Sequence, residues 1–498
     1  MSTQAAAPVS SSDHGATQGG GVTKVRTSEG DRLFLAIIAT AVFVSVLTGS
    51  MVNVLLPRIR DDLAVSPAQV GWVVTSYALV YAIGIPLYGR ISDVFGIRRI
   101  FTIGLLAFAI GCLIGAIAPN LPWLVTGRVI QASGGAAVAA LALVVIARVI
   151  PDGRRGAAMG LIGASVGIGQ ATGPIAGGLV GDLLGWRGLF LGPFALMLVM
   201  IPFARRVLPD PPVTGERRFD LLGGSLFGLG AGGFLFGITH GQTVGFDQPL
   251  PRASFLIAAI ATIGFAWRIR TTAHPFVPAR LFRNRTYRSL LIAGFLLMLG
   301  NIATLVLIPL TMVDVNGLSI REAGLVLTPG AIAIAIESPY IGRMSDRIGV
   351  WRPMLAGLTV MTLAVLFLST IASGGSALAA TAGVLFMGIG FGLVNSPLNS
   401  AAASTLTAED TGGGMGMFAG MTFLGGGAGP ALAGTLLAAR QGAGSDAFNP
   451  LYDLNAPAVA GAAAYSDAFL VPFLAILGAL VMIAVLRTHS GGRISIRG

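Results

Sequence analysis

The chain alternates long apolar runs with short breaks that carry charge or proline, from about residue 33 to residue 486. A bilayer core requires roughly 20 apolar residues in one helix, and each run approaches or exceeds that length. The pattern therefore predicts an all-α, polytopic membrane protein with 14 transmembrane helices. The predicted spans are near residues 33–56, 70–88, 100–118, 122–147, 157–181, 187–204, 221–240, 252–269, 289–312, 322–341, 354–372, 377–399, 413–438 and 467–486.

Composition supports the membrane class. Hydrophobic residues make up 54% of the 498 residues and charged residues only 11%, whereas an ordinary soluble domain is about 25% charged. Disordered proteins are excluded as well, because they are poor in apolar residues and rich in charge. The lone Cys112 allows no internal disulfide, and the four histidines show no zinc spacing, so neither a metal site nor a cofactor is predicted.

Arginine and lysine are distributed unevenly between the predicted loops. With the amino terminus inside, about 25 of the 32 basic residues lie on the inner side and about 6 on the outer side. Basic loops stay in the cytoplasm, so we expect both termini to be cytoplasmic. This asymmetry accounts for the net charge of +11 without a nucleic-acid partner. The high content of alanine, glycine and arginine, with little lysine, is consistent with a GC-rich bacterium, so a bacterial cytoplasmic membrane is the expected location.

Two separate segments of the chain are repeated at nearly the same spacing. Residues 86–99 (PLYGRISDVFGIRR) match residues 339–352 (PYIGRMSDRIGVWR), and residues 169–178 match residues 425–434 at a Gly-Pro pair. Two homologous halves of six spans each are therefore predicted. The predicted division is a disordered cytoplasmic tail (1–32), a six-helix bundle (33–206), two linking helices with flanking loops (207–287), a second six-helix bundle (288–486) and a cytoplasmic tail (487–498).

The repeated loop is predicted to form a cytoplasmic gate. Its glycines permit close backbone approach, and its aspartate could lie at a helix N-terminus or pair with an arginine of a neighbouring helix. Such contacts would hold the two halves closed on the cytoplasmic side. The predicted gate residues are Gly89, Asp93, Gly96, Arg98, Arg99, Gly342, Asp346 and Arg352.

These motifs resemble those of the major facilitator superfamily. The repeated loop is similar to its signature between the second and third helices, and residues 124–136, with Arg128 and Gln131, resemble its fourth-helix motif. Residues 53–57 are similar to the first-helix motif of the 14-helix drug:proton antiporters. Within that group, residues 128–131, 145–151, 160–163, 274–277 and the outer loop around 451–452 most resemble the Gram-positive tetracycline-efflux branch.

The resemblance implies proton-driven drug export by alternating access. It implies a role in proton coupling for Arg128 and a role in export for the fifth-helix antiporter motif, whose residues here are Gly169, Gln170, Gly173, Pro174 and Gly177. The chain departs from the family at three positions that carry acids in its relatives. These positions hold Thr48, Gln170 and Gly426.

One carboxyl group remains well inside a predicted span. Glu337 lies roughly 7–9 Å from the cytoplasmic end of its helix. An ionisable residue at this depth is a functional residue by default, so Glu337 is a candidate for proton coupling together with Arg128. The alternative is a structural role, in which Glu337 pairs with Arg343 or extends to the interface. Asp314, at the outer end of its span, is expected to serve a helix-end or gating role.

Uncharged polar residues within the predicted spans could line a substrate cavity or join helices by hydrogen bonds. The cavity candidates are Thr48, Asn53, Gln131, Gln170, Asn301 and Asn395.

The sequence as a whole predicts a monomeric secondary transporter rather than an enzyme. There is no Walker A loop, so no ATP-driven step is expected. We expect export of small lipophilic or cationic compounds in exchange for protons. The alternatives are export of an endogenous metabolite, uncoupled facilitation, or a membrane scaffold that does not transport.

Overall fold

The computed structural model describes residues 28–65, 67–70, 72–208, 220–273, 275–318, 320–372, 376–407, 409–440, 447–448 and 461–489. These residues form 18 α-helices, one short π-helical stretch (Leu368–Ala372) and no β-strand. The helices are α1 (Ser28–Val54), α2 (Leu56–Asp62), α3 (Pro67–Val70), α4 (Trp72–Phe95), α5 (Ile97–Ala116), α6 (Leu121–Val149), α7 (Asp152–Val207), α8 (Leu221–Val244), α9 (Pro249–Thr271), α10 (Ala279–Arg283), α11 (Arg285–Asp314), α12 (Ile320–Val326), α13 (Thr328–Ile348), α14 (Trp351–Phe367), α15 (Ala377–Ser404), α16 (Thr411–Arg440), α17 (Ala462–Ala468) and α18 (Leu470–His489).

The all-α, membrane-spanning fold is confirmed. In the described part of the chain, 12 helices are long and apolar enough to cross a membrane. A further span results when the bent pair Glu322–Ser338 and Tyr340–Ile348 is counted as one. The predicted spans 157–181 and 187–204 both lie within α7, which extends over 56 residues and has non-helical torsions only at Gly185.

Polar caps and glycines determine where several helices begin. Asn120 accepts a hydrogen bond from the backbone of Trp123 at the start of α6, and Asn284 caps α11 in the same way. Gly96 and Gly349 join α4 to α5 and α13 to α14, with φ of 85° and 82°. These left-handed conformations favour glycine, and they occur at matching positions of the two motif copies.

The helices pack into two groups joined by a linking pair. The first group consists of α1 and α4–α7, in which α1 packs on α7 and α6 packs on α4 and α5. The second group consists of α11 and α13–α18, in which α11 packs on α16 and α18, and α15 packs on α13 and α14. The groups meet where α7 contacts α13 and where α4 contacts α16. The linking pair, α8 and α9, packs through α8 against α4 and α16.

Both copies of the repeated loop lie at the same end of the bundle. We call this end the motif face, defined by residues 89–99 and 342–352, and the other end the opposite face. Leu35, near the start of α1, borders a small cavity with Arg343 and Asp346, so α1 begins on the motif face. On the opposite face, arginine side chains within the described residues are few: Arg58, Arg60, Arg187, Arg252 and Arg440.

Candidate functional site

The crossing of α7 and α13 brings two backbones together on the motif face. A Cβ added at either Gly156 or Gly342 would overlap the backbone of the other residue. The Asp346 carboxylate accepts hydrogen bonds from the backbone amides of Gly156 (3.0 Å) and Ala157 (3.2 Å). Ser396 of α15 donates to the Gly156 carbonyl oxygen at 2.9 Å. This second copy of the motif therefore ties the second helix group to the start of α7.

The crossing of α4 and α16 has the equivalent arrangement. A Cβ at Gly89 would approach the Gly412 carbonyl oxygen to 2.6 Å and the Gly416 Cα to 2.9 Å. One turn further on, Gly420 is covered by the ring of Pro86. Gly156 and Gly412 occupy matching positions in the internal repeat, so the two crossings are related by that repeat.

The long helix α7 presents glycines to two different neighbours. Gly169, Gly173 and Gly177, predicted from the antiporter motif, lie against α1 within the first helix group. The contact with α13 instead uses Gly156, Gly163 and Gly167, which the sequence analysis did not select. The backbone of α7 remains helical through residue 174.

The other predicted gate residues differ in their surroundings. Arg98 donates from Nε to the Leu208 carbonyl oxygen at 2.9 Å, fastening α5 to the end of α7. Arg99 and Arg352 are exposed on the motif face. The side chains of Asp93, Asn53 and Pro174 lie outside what the structure describes.

Arg128 is buried in the first helix group among neutral partners. Its side chain is 1% exposed. Nε donates to the Val73 carbonyl oxygen at 3.1 Å, and Nη1 donates to Gln131 Oε1 at 2.6 Å. The guanidinium lies 4.1 Å from the centre of the Tyr77 ring. No carboxylate of the described residues forms an ion pair with Arg128.

A row of aromatic rings runs from this cation to the second helix group. Tyr77 stacks on Tyr81 with ring centres 5.6 Å apart, and Tyr81 contacts Phe423 of α16 at 4.8 Å. Behind the cation, Gln131 donates from Nε2 to the Cys112 sulfur at 3.0 Å. Arg128 is thus connected by continuous side-chain contacts to the crossing of α4 and α16.

Glu337 lies at the bend of α13, facing α15. The segments on either side of the bend meet at 49°, and the sequence has proline at position 339, which removes a backbone donor. The carboxyl group packs against the backbone of Gly392, where an added Cβ would overlap it. Its Oε1 is buried and has no hydrogen-bond partner among the described residues. No ion pair with Arg343 is formed.

The predicted cavity residues that the structure describes differ in their surroundings. Thr48 is buried and its hydroxyl donates to Val44 of its own helix at 2.7 Å, while Gln170 is exposed. Asn301 is buried on α11. Asn395 is half-buried on α15, and its amide nitrogen lies 3.4 Å from where a Cβ of Gly163 would be. Among the described members of this set, Asn395 lies in the contact between α7 and the second group.

Two acidic residues join helices of the second group at the opposite face. Asp314 accepts a hydrogen bond from the hydroxyl of Tyr465 in α17. Asp467, which is buried, pairs with Arg440 Nε at 2.6 Å and accepts from the Phe448 amide at 2.7 Å. The Arg440 guanidinium lies 3.9 Å from the centre of the Phe448 ring.

Comparison with known families agrees with this architecture. A family model of the major facilitator superfamily matches residues 38–430. The chain belongs to the major facilitator superfamily. The match includes the first helix group from residue 38, the linking pair and the second group as far as residue 430, and both crossings of this facilitator lie within it.

Similar proteins and structures extend the comparison. The facilitator is 30% identical to multidrug resistance protein Stp of Mycobacterium tuberculosis over 408 residues, which cover 81% of this chain and 76% of Stp. It is 28% identical to multidrug transporter protein MdtP of Bacillus subtilis, covering 76% of this chain and 70% of MdtP. Its fold is similar to that of human MFSD10, an organic anion transporter (TM-score 0.63, 16% identity, 91% of this chain and 100% of the other).

Several residues of this facilitator's crossings were missed by sequence reasoning. Gly156, Ser396 and Gly412 carry no motif of their own and lie in glycine-rich or small-residue segments like many others. The internal repeat contained a usable signal, since Gly156 and Gly412 have the same spacing as the two copies of the Gly-Pro pair.

Proposed function

We propose that this chain exports small lipophilic or cationic compounds in exchange for protons. The observation that carries the proposal is the environment of Glu337, whose buried Oε1 has no hydrogen-bond partner among the described residues. A carboxyl group in such a place is less costly when protonated, and it becomes favourable as an anion when water or a cationic substrate reaches it. Protonation and substrate binding would therefore compete at this residue.

Glu337 lies where competition between a proton and the substrate could affect the contact between the two helix groups. It lies at the bend of α13, on the helix that contacts Gly156 through Gly342. A change of charge at the bend would alter the packing of α13 on α7, and alternating access requires the contacts on the motif face to open and close. We assign the motif face to the cytoplasm, because arginine is abundant on it and sparse on the opposite face.

The named relatives support efflux as the direction of transport. Stp and MdtP are called a multidrug resistance protein and a multidrug transporter protein. A membrane-embedded carboxylate such as Glu337 is compatible with lipophilic cations as substrates. The neutral residues Thr48, Gln170 and Gly426 leave proton exchange to Glu337, with Arg128 as a fixed cation next to the aromatic row.

The test is transport in inside-out vesicles that respire and so acidify their interior. A transported antibiotic or dye should dissipate the pH gradient, read with a fluorescent pH reporter. Glu337→Gln should abolish this dissipation while leaving binding of the neutral substrate forms intact. The matched control is Glu322→Gln, which makes the same chemical change at an exposed position before the bend.

Two outcomes would contradict the proposal. Substrate movement that continues unchanged in Glu337→Gln and never dissipates the pH gradient would indicate an uncoupled facilitator. Absence of any gradient change across a wide compound panel, from protein shown to be folded and inserted, would indicate a narrow endogenous substrate.

A further inference from the structure

A large apolar cavity lies beside the linking helices, next to the crossing of α4 and α16. It has a volume of about 1310 Å³ and is lined by residues of α8, α9, α10 and α16. Typical pockets for drug-sized ligands measure about 300–1,000 Å³, so this cavity is larger. Helix α8 packs on both α9 and α16, and the cavity occupies the space that separates α9 from α16.

The cavity walls are apolar over most of their length. Phe234 and Phe255 line it toward the opposite face, and Met417 and Met421 line it on the side of α16. The α9 wall reaches the outside of the bundle, since Ile263 is 70% exposed. In a membrane that outer surface is in contact with acyl chains, so the cavity is accessible to lipid from the side.

Two arginines lie at the end of the cavity on the motif face. Arg270 is in the last turn of α9 and Arg283 is in the last turn of α10, and both are exposed. Within the described residues, neither forms an ion pair.

The neighbouring arginines on the same two helices, unlike Arg270 and Arg283, are paired with carboxylates. Arg268 binds the buried carboxylate of Asp220 at 3.1 Å, and Arg280 binds Asp410 at 2.9 Å. The hydrogen bond from Arg280 to Asp410 raises the pKa of the Arg280 guanidinium above its usual value. On α9 and α10, the arginines without a carboxylate partner among the described residues are the two that border the cavity.

We propose that this cavity binds an anionic phospholipid from the leaflet at the motif face, with its acyl chains between α9 and α16 and its phosphate at Arg270 and Arg283. Basic pockets between membrane helices are suited to anionic head groups, and the apolar walls match acyl chains. A lipophilic cation, the substrate class proposed above, is disfavoured here because both charges at the entrance are positive.

The position of the cavity indicates that a bound lipid would act on α16. Met417 and Met421 contact the cavity from α16, while Gly416 and Gly420 of the same helix contact Pro86 of α4. A lipid that fills the cavity therefore contacts the face of α16 next to the one that crosses α4, since successive residues of a helix are about 100° apart.

The test is native mass spectrometry of the full chain in detergent, titrated with phosphatidylglycerol and with phosphatidylcholine of the same acyl chains. We expect retained phosphatidylglycerol and little phosphatidylcholine. The Arg270→Gln/Arg283→Gln variant should bind phosphatidylglycerol about 25-fold more weakly, because each arginine near an anionic head group contributes about a five-fold factor. Arg285→Gln/Arg288→Gln removes two exposed charges from the same face outside the cavity, and should bind normally.

A second variant tests the acyl portion without changing charge. Ala266→Trp places a large ring in the cavity and should also displace the lipid. Three outcomes would overturn the proposal. They are equal binding of the two lipids, undiminished lipid binding in both cavity variants, and an equal loss of binding in the Arg285/Arg288 control. Displacement of the lipid by millimolar inorganic phosphate would do so as well, since it would indicate a site for a soluble anion. None of these measurements requires transport, so their outcome is independent of the proposed efflux activity.

Discussion

The carboxylate of Asp346 accepts a hydrogen bond from the backbone amide of Gly156 at 3.0 Å, and this bond joins α13 to the first turns of α7. A second amide, that of Ala157, binds the other carboxylate oxygen at 3.2 Å. Since these bonds cross from one helix group to the other, they contribute to stability only while the motif face is closed. The balance between the closed and open conformations at the motif face is thus sensitive to this side chain.

Asp346→Asn should shift the protein toward a conformation open at the motif face. The amide retains one acceptor oxygen and loses the charge, and a hydrogen bond to a charged group contributes about 1.5–3 kcal/mol. Roughly a thirty-fold change in the ratio of open to closed forms is expected from about 2 kcal/mol. Ser338, 3% exposed at the same crossing, can be replaced by cysteine in a Cys112→Ala background to report opening through thiol labelling. Asp182→Asn, at an exposed pair on the opposite face, should leave the labelling rate unchanged.

Gly156→Ala should prevent the close approach of α7 and α13. The new Cβ would overlap the Gly342 carbonyl oxygen and contact the Asp346 carboxylate, and a backbone atom cannot move aside as a side chain does. We expect loss of transport with normal membrane insertion, measured in the vesicle assay. Gly178→Ala on the same helix meets no atom within 4 Å and should transport normally, and an equal loss there would indicate a general defect of α7.

Tyr77→Leu should destabilise the first helix group, whereas Tyr77→Phe should not. The ring of Tyr77 faces the buried Arg128 at 4.1 Å, and a desolvated contact of this type contributes about 2 kcal/mol. The Tyr77 hydroxyl oxygen lies 3.4 Å from Ser45 Oγ, which is long for a hydrogen bond between hydroxyl groups. Loss of this weak hydrogen bond in Tyr77→Phe should therefore cost little stability. Thermal unfolding in detergent checks both variants, and equal melting temperatures for the two would exclude the cation–ring contact as a stabilising interaction.

Asp467→Asn should lower stability strongly because its partner cation is also buried. The side chains of Arg440 and Asp467 are 12% and 0% exposed, and removal of one member of a buried pair costs about 3–5 kcal/mol. Asp247→Asn breaks an exposed pair with Arg252, for which a change of about 0–1 kcal/mol is expected. Thermal unfolding compares the two, and a small shift for Asp467→Asn would show that Arg440 is satisfied by Phe448 alone.

Sequence reasoning succeeded where a single physical requirement dominates. Crossing a bilayer demands long apolar helices, so the spans could be located by hydropathy, and the repeated loop identified two related segments that the structure places on one face. It could not assign the glycines of α7, because Gly163 and Gly169 are equivalent in hydropathy and differ only in the helix that they face. It also missed Tyr77 as the partner of Arg128, since nothing in the spacing distinguishes that tyrosine from one at an interface.

The two-sided packing of α7 also constrains the length of the chain. Gly163 and Gly167 face α13, and Gly169 and Gly173 face α1, only two residues apart where the sets meet. Inserting or deleting one residue between Gly167 and Gly169 would rotate the following part of α7 by about 100° about the helix axis. One of the two glycine sets would then no longer face the helix on which it packs. Natural length variation should therefore be confined to the connections, and this stretch of α7 should not tolerate the gain or loss of even a single residue.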